Sequence, residues 1–170
     1  MAIGLQQLNE LPRNEAIGEL LKCCGSKVWA GRMTDARPFD DLESLLSTSD
    51  RIWLGLDAGD WLEAFSHHPK IGEKRAASPV STEARRWSEE EQAGARRASA
   101  ETMRELVAAN REYESKFGFI FIVCATGKTT EEMLALVKER MNNETDKELR
   151  VAAEEQRRIT HLRLKKLLEP

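Results

Sequence analysis

The chain has 170 residues, 41% of them apolar and 32% charged, with a formal net charge of −3. That is the size and balance of one globular domain with a real core, and it excludes a disordered chain. Basic and acidic residues alternate without a stripe suited to a phosphate backbone, which argues against nucleic acid as a partner.

No apolar run approaches the roughly 20 residues that cross a bilayer, so no membrane partner is expected. The opening stretch, Met1 to Glu15, lacks the charged-then-apolar layout of a signal peptide. The final Leu-Leu-Glu-Pro is not a peroxisomal address. Three cysteines, with Cys23 and Cys24 adjacent, make a poor disulfide framework. The expected compartment is a reducing cytoplasm.

In chain order, helical periodicity dominates. Asn14 is placed to cap a helix with Ile17, Leu20, Leu21 and Cys24 on one face, stopped by Gly25. Val28, Trp29 and Met33 give a second helix before the Arg37-Pro38 break. Leu42, Leu45 and Leu46 form a third stripe, and Ile52, Trp53 and Leu56 a fourth. A short segment from Asp60 through Phe65 should end near His68, because proline disfavours helical geometry at the residue before it.

Residues 69–81 read as a loop, followed by helices over about 82–98 and 99–116, the second closed by Gly118. Thr129 with Glu132, and Thr145 with Glu148, match the spacing of a capping box. They predict helices over about 130–141 and 146–168. Residues 117–125 (FGFIFIVCA) break the pattern, being aromatic and β-branched with no second run to pair with. Such a stretch is either a buried connector or a segment whose backbone groups are partly satisfied by a ligand. The expected fold is all-α: one domain over 1–170, a helical bundle with a short extended segment near 119–124.

Three places could carry chemistry. His68 lies at a helix end, fixed by Pro69 and followed by Gly72, where a side chain can project into a cleft. His67 is the weaker candidate, and His161 falls on a charge-rich helix where exposure is expected. Ser88, Glu91 and Gln92 share a helical face with Ala84 and Ala95, which suits either a pocket wall or a solvated face. Arg163 falls within the inward stripe of the last helix, marked by Leu149, Ala152, Ala153, Gln156, Ile159 and Leu167. A buried guanidinium needs an anion, supplied by a protein carboxylate or by a ligand.

Two other readings fail. Gly127-Lys128-Thr129 looks like the end of a phosphate-binding loop, but Ile122 stands where that motif needs glycine. His67, His68, Cys23, Cys24 and Cys124 show none of the usual zinc spacings.

Taken in order, these pieces resemble a known family. His68-Pro69-Lys-Ile-Gly72, Ser88-x-x-Glu91-Gln92-Ala-Gly and Asn110-x-x-Tyr113-x-x-Lys116 followed by 117–125 are similar to 2-oxo-4-hydroxy-4-carboxy-5-ureidoimidazoline (OHCU) decarboxylases. Leu8-Asn-Glu-Leu11, Ala36-Arg-Pro-Phe39 and Leu162-Arg163-Leu164 fit the same pattern, so the likeness spans almost the whole chain.

The resemblance implies an all-helical homodimer that needs no metal or organic cofactor and converts OHCU to (S)-allantoin and carbon dioxide in urate degradation. It implies that His68 is the catalytic acid; Glu91, one of the implied substrate contacts, is expected to assist the proton exchange. Substrate contacts would come from Pro69, Ser88, Glu91, Gln92, Arg163 and the backbone of Phe121, Ile122, Val123, Cys124 and Ala125. Two other functions would fit the residues: a related enzyme on another ureido or carboxylated heterocycle, or a non-catalytic helical interaction module. The basic loop before Ser88 is not aligned with the family pattern.

Overall fold

Helix-forming sequence yields nine helices among the described residues. In chain order they are α1 (Leu5–Glu10), α2 (Arg13–Cys23), α3 (Lys27–Asp35), α4 (Leu42–Leu54) and α5 (Ala58–Ser66), then α6 (Thr82–Glu91), α7 (Ala100–Phe117), α8 (Thr130–Arg140) and α9 (Thr145–Leu168). The computed structural model describes residues 3–72, 81–93 and 99–169, and no strand occurs among them. The expected all-helical class is what the structure shows. None of these helices is long and apolar enough to cross a membrane.

The chain divides into two units, Met1–Ala64 with Arg157–Pro170, and Phe65–Gln156. In the first, Leu8, Ala16, Leu20, Cys23, Trp29, Met33, Leu45 and Trp53 are buried, as are Leu164 and Leu167 of α9. The two short motifs near the N-terminus meet here. Asn9 Nδ2 donates to the Phe39 carbonyl and Asn9 Oδ1 accepts from the Phe39 N–H, both at 2.9 Å. Arg37 Nη1 donates to the carbonyls of Leu8 at 2.7 Å and Leu11 at 2.8 Å, placing a cation on the open C-terminal end of α1.

Some sequence expectations shift. Asn14 sits inside α2, whose N-cap is Pro12: proline lacks an N–H that the first turn leaves unpaired in any case. The third stripe and Ile52 and Trp53 of the fourth belong to one helix, α4, started by a capping box between Asp41 and Ser44; Leu56 lies just past its end. His161 is partly buried, its Nε2 bound to Asp50 Oδ1 at 2.6 Å, and Arg157 Nη1 reaches the same carboxylate at 3.1 Å.

In the second unit, Ser99 caps α7, and Gly118 ends it in a left-handed conformation at φ 80°. The expected helix over 82–98 is seen as α6, which stops at Glu91. Ala95 and residues 73–80 of the expected loop lie outside the described residues. The box at Thr129 is present, with Glu132 reaching back to the Thr129 N–H at 2.8 Å.

Thr129→Ala should therefore cost about 1 kcal/mol of stability, read as a lower urea midpoint at unchanged slope. The second box does not form. Glu148 is fully buried and its carboxylate is taken by Arg140 Nε at 2.6 Å, by the Tyr113 hydroxyl and by Asn143 Nδ2 at 2.8 Å. A buried carboxylate needs a cation and donors more than a helix end needs a cap.

Candidate active site

The Phe65–Gln156 unit carries the histidine that sequence spacing singled out. The helix ends at Ser66, as the following proline requires, and the His68 N–H closes back onto the Phe65 carbonyl at 3.1 Å. The turn that follows is braced against α7. Lys70 pairs with Glu114 at 2.7 Å, and Asn110 Nδ2 donates to the Ile71 carbonyl at 3.3 Å. At Gly72, φ is 80°, and a Cβ would stand 2.7 Å from Met103 Sδ and 3.1 Å from Val107 Cγ2. Only glycine satisfies both demands, so α7 holds the His68 turn closely.

The imidazole itself is half-buried and meets α9. Its Nε2 lies 2.6 Å from Oε1 of Gln156, a side chain with no solvent exposure. His67 beside it is exposed. The sequence placed Gln156 on the inward stripe without singling it out. The signal was there: an amide among apolar stripe positions needs a partner for the same reason that Arg163 does.

Residues 120–125 have neither helical nor strand pattern. Phe121, Ile122, Val123, Cys124 and Ala125 are all buried. Three side chains from elsewhere hold this backbone. Arg140 Nη1 donates to the Ile122 carbonyl at 2.8 Å, Glu155 accepts the Cys124 N–H at 2.8 Å, and Lys128 Nζ donates to the Cys124 carbonyl at 2.7 Å. The alternatives left by the sequence were a connector or a backbone satisfied by ligand. The protein itself supplies partners at 122 and 124. The peptide groups of Phe121 and Val123 bond to nothing among the described residues.

Lys70 and Ile71, immediately after Pro69, share a cleft wall with Asn110, Glu114, Ile120 and Phe121. The His68 turn and the start of the irregular segment are thus neighbours. α6 approaches the same segment. Burial pushes the Cys124 thiol above its ordinary pKa, Lys128 opposes this, and the carboxylates of Glu155 and Glu91 add to it.

Ser88 is buried with its hydroxyl donating to the Ala84 carbonyl at 3.0 Å. Gln92 lies just past the helix end, its N–H on the Ser88 carbonyl at 3.2 Å. Glu91 and Gln92 are half-buried, which fits a pocket wall better than a fully solvated face.

Arg163 belongs to the other unit. It is 6% exposed, so the expected burial is present. Its Nη1 reaches the Lys22 carbonyl at 3.5 Å, near the end of α2. Burial pushes up both neighbouring thiols, that of Cys24 to about 11, and the Arg163 charge works against the rise at each.

Chemically, the second unit offers an imidazole whose Nε2 meets Gln156, a nearby buried backbone with peptide groups unpartnered among the described residues, and a carboxylate on α6. Among the described residues no three His, Cys, Asp or Glu side chains are grouped to hold a metal.

The family model described as OHCU decarboxylase matches residues 9–165. The chain is 44% identical over 146 residues to the uric acid degradation bifunctional protein TTL of Arabidopsis thaliana, covering 85% of this chain but only 45% of that one. It is 30% identical to the 2-oxo-4-hydroxy-4-carboxy-5-ureidoimidazoline decarboxylase of Haloferax volcanii, covering 95% of this chain and 94% of that one. A crystal structure of an OHCU decarboxylase in the presence of (S)-allantoin superposes with a TM-score of 0.77 at 40% identity, over 88% of this chain and 96% of that chain.

Proposed function

We propose, from the premise that this chain belongs to the OHCU decarboxylase family, that it removes carbon dioxide from OHCU and delivers (S)-allantoin in urate degradation. The observation that carries this reading is the meeting of two motif segments. The turn after His68 and the start of the Phe121–Ala125 segment wall one cleft, and the peptide groups of Phe121 and Val123 have no hydrogen-bond partner among the described residues. A flat ureido heterocycle presents alternating N–H and C=O edges, which peptide groups match without charged side chains.

The reaction asks little of the protein beyond placement. When the bond to the carboxylate breaks, its electron pair passes into the adjacent ring imine and carbon dioxide leaves. A proton must then reach the ring carbon from one face only. His68 supplies that proton, since imidazole exchanges protons readily near neutrality, and Glu91 assists. Pro69 shapes the turn beside the substrate, Ser88 and Gln92 line the α6 side, and the backbone from Phe121 to Ala125 orients the ring.

Arg163 holds the substrate's negative charge. Arg163→Leu is accordingly expected to raise KM by about tenfold or more, the worth of a lost charge-assisted hydrogen bond, with the helical circular dichroism retained. Unchanged KM and kcat would assign Arg163 to an internal ion pair.

OHCU decays unaided, so product alone says little. The decisive measurement is the rate and optical activity of allantoin formation from fresh OHCU, with and without the protein. Faster, single-handed formation of the S product supports the reading. An unaccelerated, racemic product would leave a non-catalytic module or an enzyme for another heterocycle. The reading extends to a cytoplasmic homodimer. The family supports the assembly, and three free thiols suit a reducing compartment.

A further inference from the structure

We infer that Gln156 is a positioning residue that fixes the tautomer of His68, so that the proton exchanged with substrate is the one on Nδ1. This rests on the reading of His68 as proton donor. The geometry behind it is the 2.6 Å contact between His68 Nε2 and Gln156 Oε1, with Gln156 fully buried on α9. A carbonyl oxygen only accepts, so Nε2 carries hydrogen.

The choice of an amide oxygen has a further merit. An imidazole that donates a proton cycles between a neutral ring and an imidazolium, and both forms can keep hydrogen on Nε2. An acceptor at Nε2 suits both states, whereas an N–H facing that nitrogen would repel the imidazolium. Being uncharged, the amide holds the ring without trapping its proton in a strong ion pair, as a carboxylate in the same place would.

The pair from the broken carboxylate bond forms a double bond to the former imine carbon. The imidazolium gives its Nδ1 proton to that carbon, while the neighbouring hydroxyl becomes the carbonyl and its proton ends on the former imine nitrogen. The ring is left neutral, with a lone pair on Nδ1 and the Nε2–H still on Gln156. Solvent then returns a proton to Nδ1. The orienting role is the one outer hydrogen-bond partners play for other working histidines.

The test uses the full chain with 15N-labelled histidine, which places three imidazoles in the spectrum. His68 is assigned by the signal lost in His68→Gln. Wild type is expected to show the neutral ring as the Nε2–H form. Gln156→Met, similar in shape but a poor acceptor, should give a tautomer mixture and lower kcat about 10- to 100-fold with KM within about twofold. Gln156→Glu, which restores an acceptor but adds a charge, should recover the Nε2–H form and only part of the lost kcat, because the carboxylate holds the ring's proton.

An Nδ1–H ring in wild type would overturn the inference and would mean the amide is turned the other way. So would an unaltered spectrum and kcat in Gln156→Met. The wild-type spectrum needs no variant to fold and no turnover. A protein inactive on OHCU but with an Nε2–H ring would sink the proposed reaction and leave the tautomer assignment standing.

Discussion

His68→Gln should keep the helical fold and lose about 100- to 10,000-fold of the protein-dependent rate, the span expected for removing one general acid. Glutamine approximates the size of the ring and can still hydrogen-bond, but it cannot carry a proton to carbon. His68 lies in a turn at a helix end and is only half-buried, so little packing is lost with it. The readout is the circular-dichroism decay of freshly made OHCU. Allantoin formed by the variant should lose its handedness, because what remains is the spontaneous reaction. A folded variant that still makes (S)-allantoin at close to the wild-type rate would remove His68 from the chemistry.

Arg140→Met carries the largest expected loss of stability, about 3–5 kcal/mol. Glu148 is fully buried and Arg140 only 6% exposed, so truncating the cation leaves a carboxylate stranded in the interior. The Tyr113 hydroxyl also donates to Glu148, and burial together with that bond pushes the phenol's pKa well up, keeping it a donor. Arg140 additionally stacks over the Phe121 ring at 4.6 Å and holds the Ile122 carbonyl. Its loss should therefore loosen the Phe121–Ala125 segment as well as the fold. Chemical denaturation would read the first effect. Arg140→Met combined with Glu148→Leu should recover much of the stability by removing the stranded charge. A double variant no better than the single would show that the Ile122 contact, and not the ion pair, dominates.

How far the sequence could be read depended on the range of each interaction. The start of α8 and the end of α5 follow from residues within four positions: Thr129 with Glu132, and Pro69 after His68. Such local chemistry is legible. Arg163 was found inward because period alone says which face of a helix is covered.

Glu148 shows the limit. Its spacing from Thr145 is that of a cap, yet its partners Arg140 and Tyr113 lie 8 and 35 positions away, and only the fold brings them within reach. His161 was misjudged for the same reason: Asp50, 111 positions off, draws it partly inside. The supports of the irregular segment were likewise hidden, since Arg140 and Glu155 stand 18 and 31 residues from the groups they hold.

That segment has a consequence for how the protein can change over generations. Its backbone is fastened by Arg140, Lys128 and Glu155, none of them within it. The side chains of Ile122 and Val123 need only fill space, so one apolar residue can replace another there with the peptide path intact. The fasteners have no such latitude, because each delivers a charged group to a single carbonyl or N–H. Mutational tolerance should therefore be inverted: freer along the stretch beside the cleft, and strict at three positions scattered outside it.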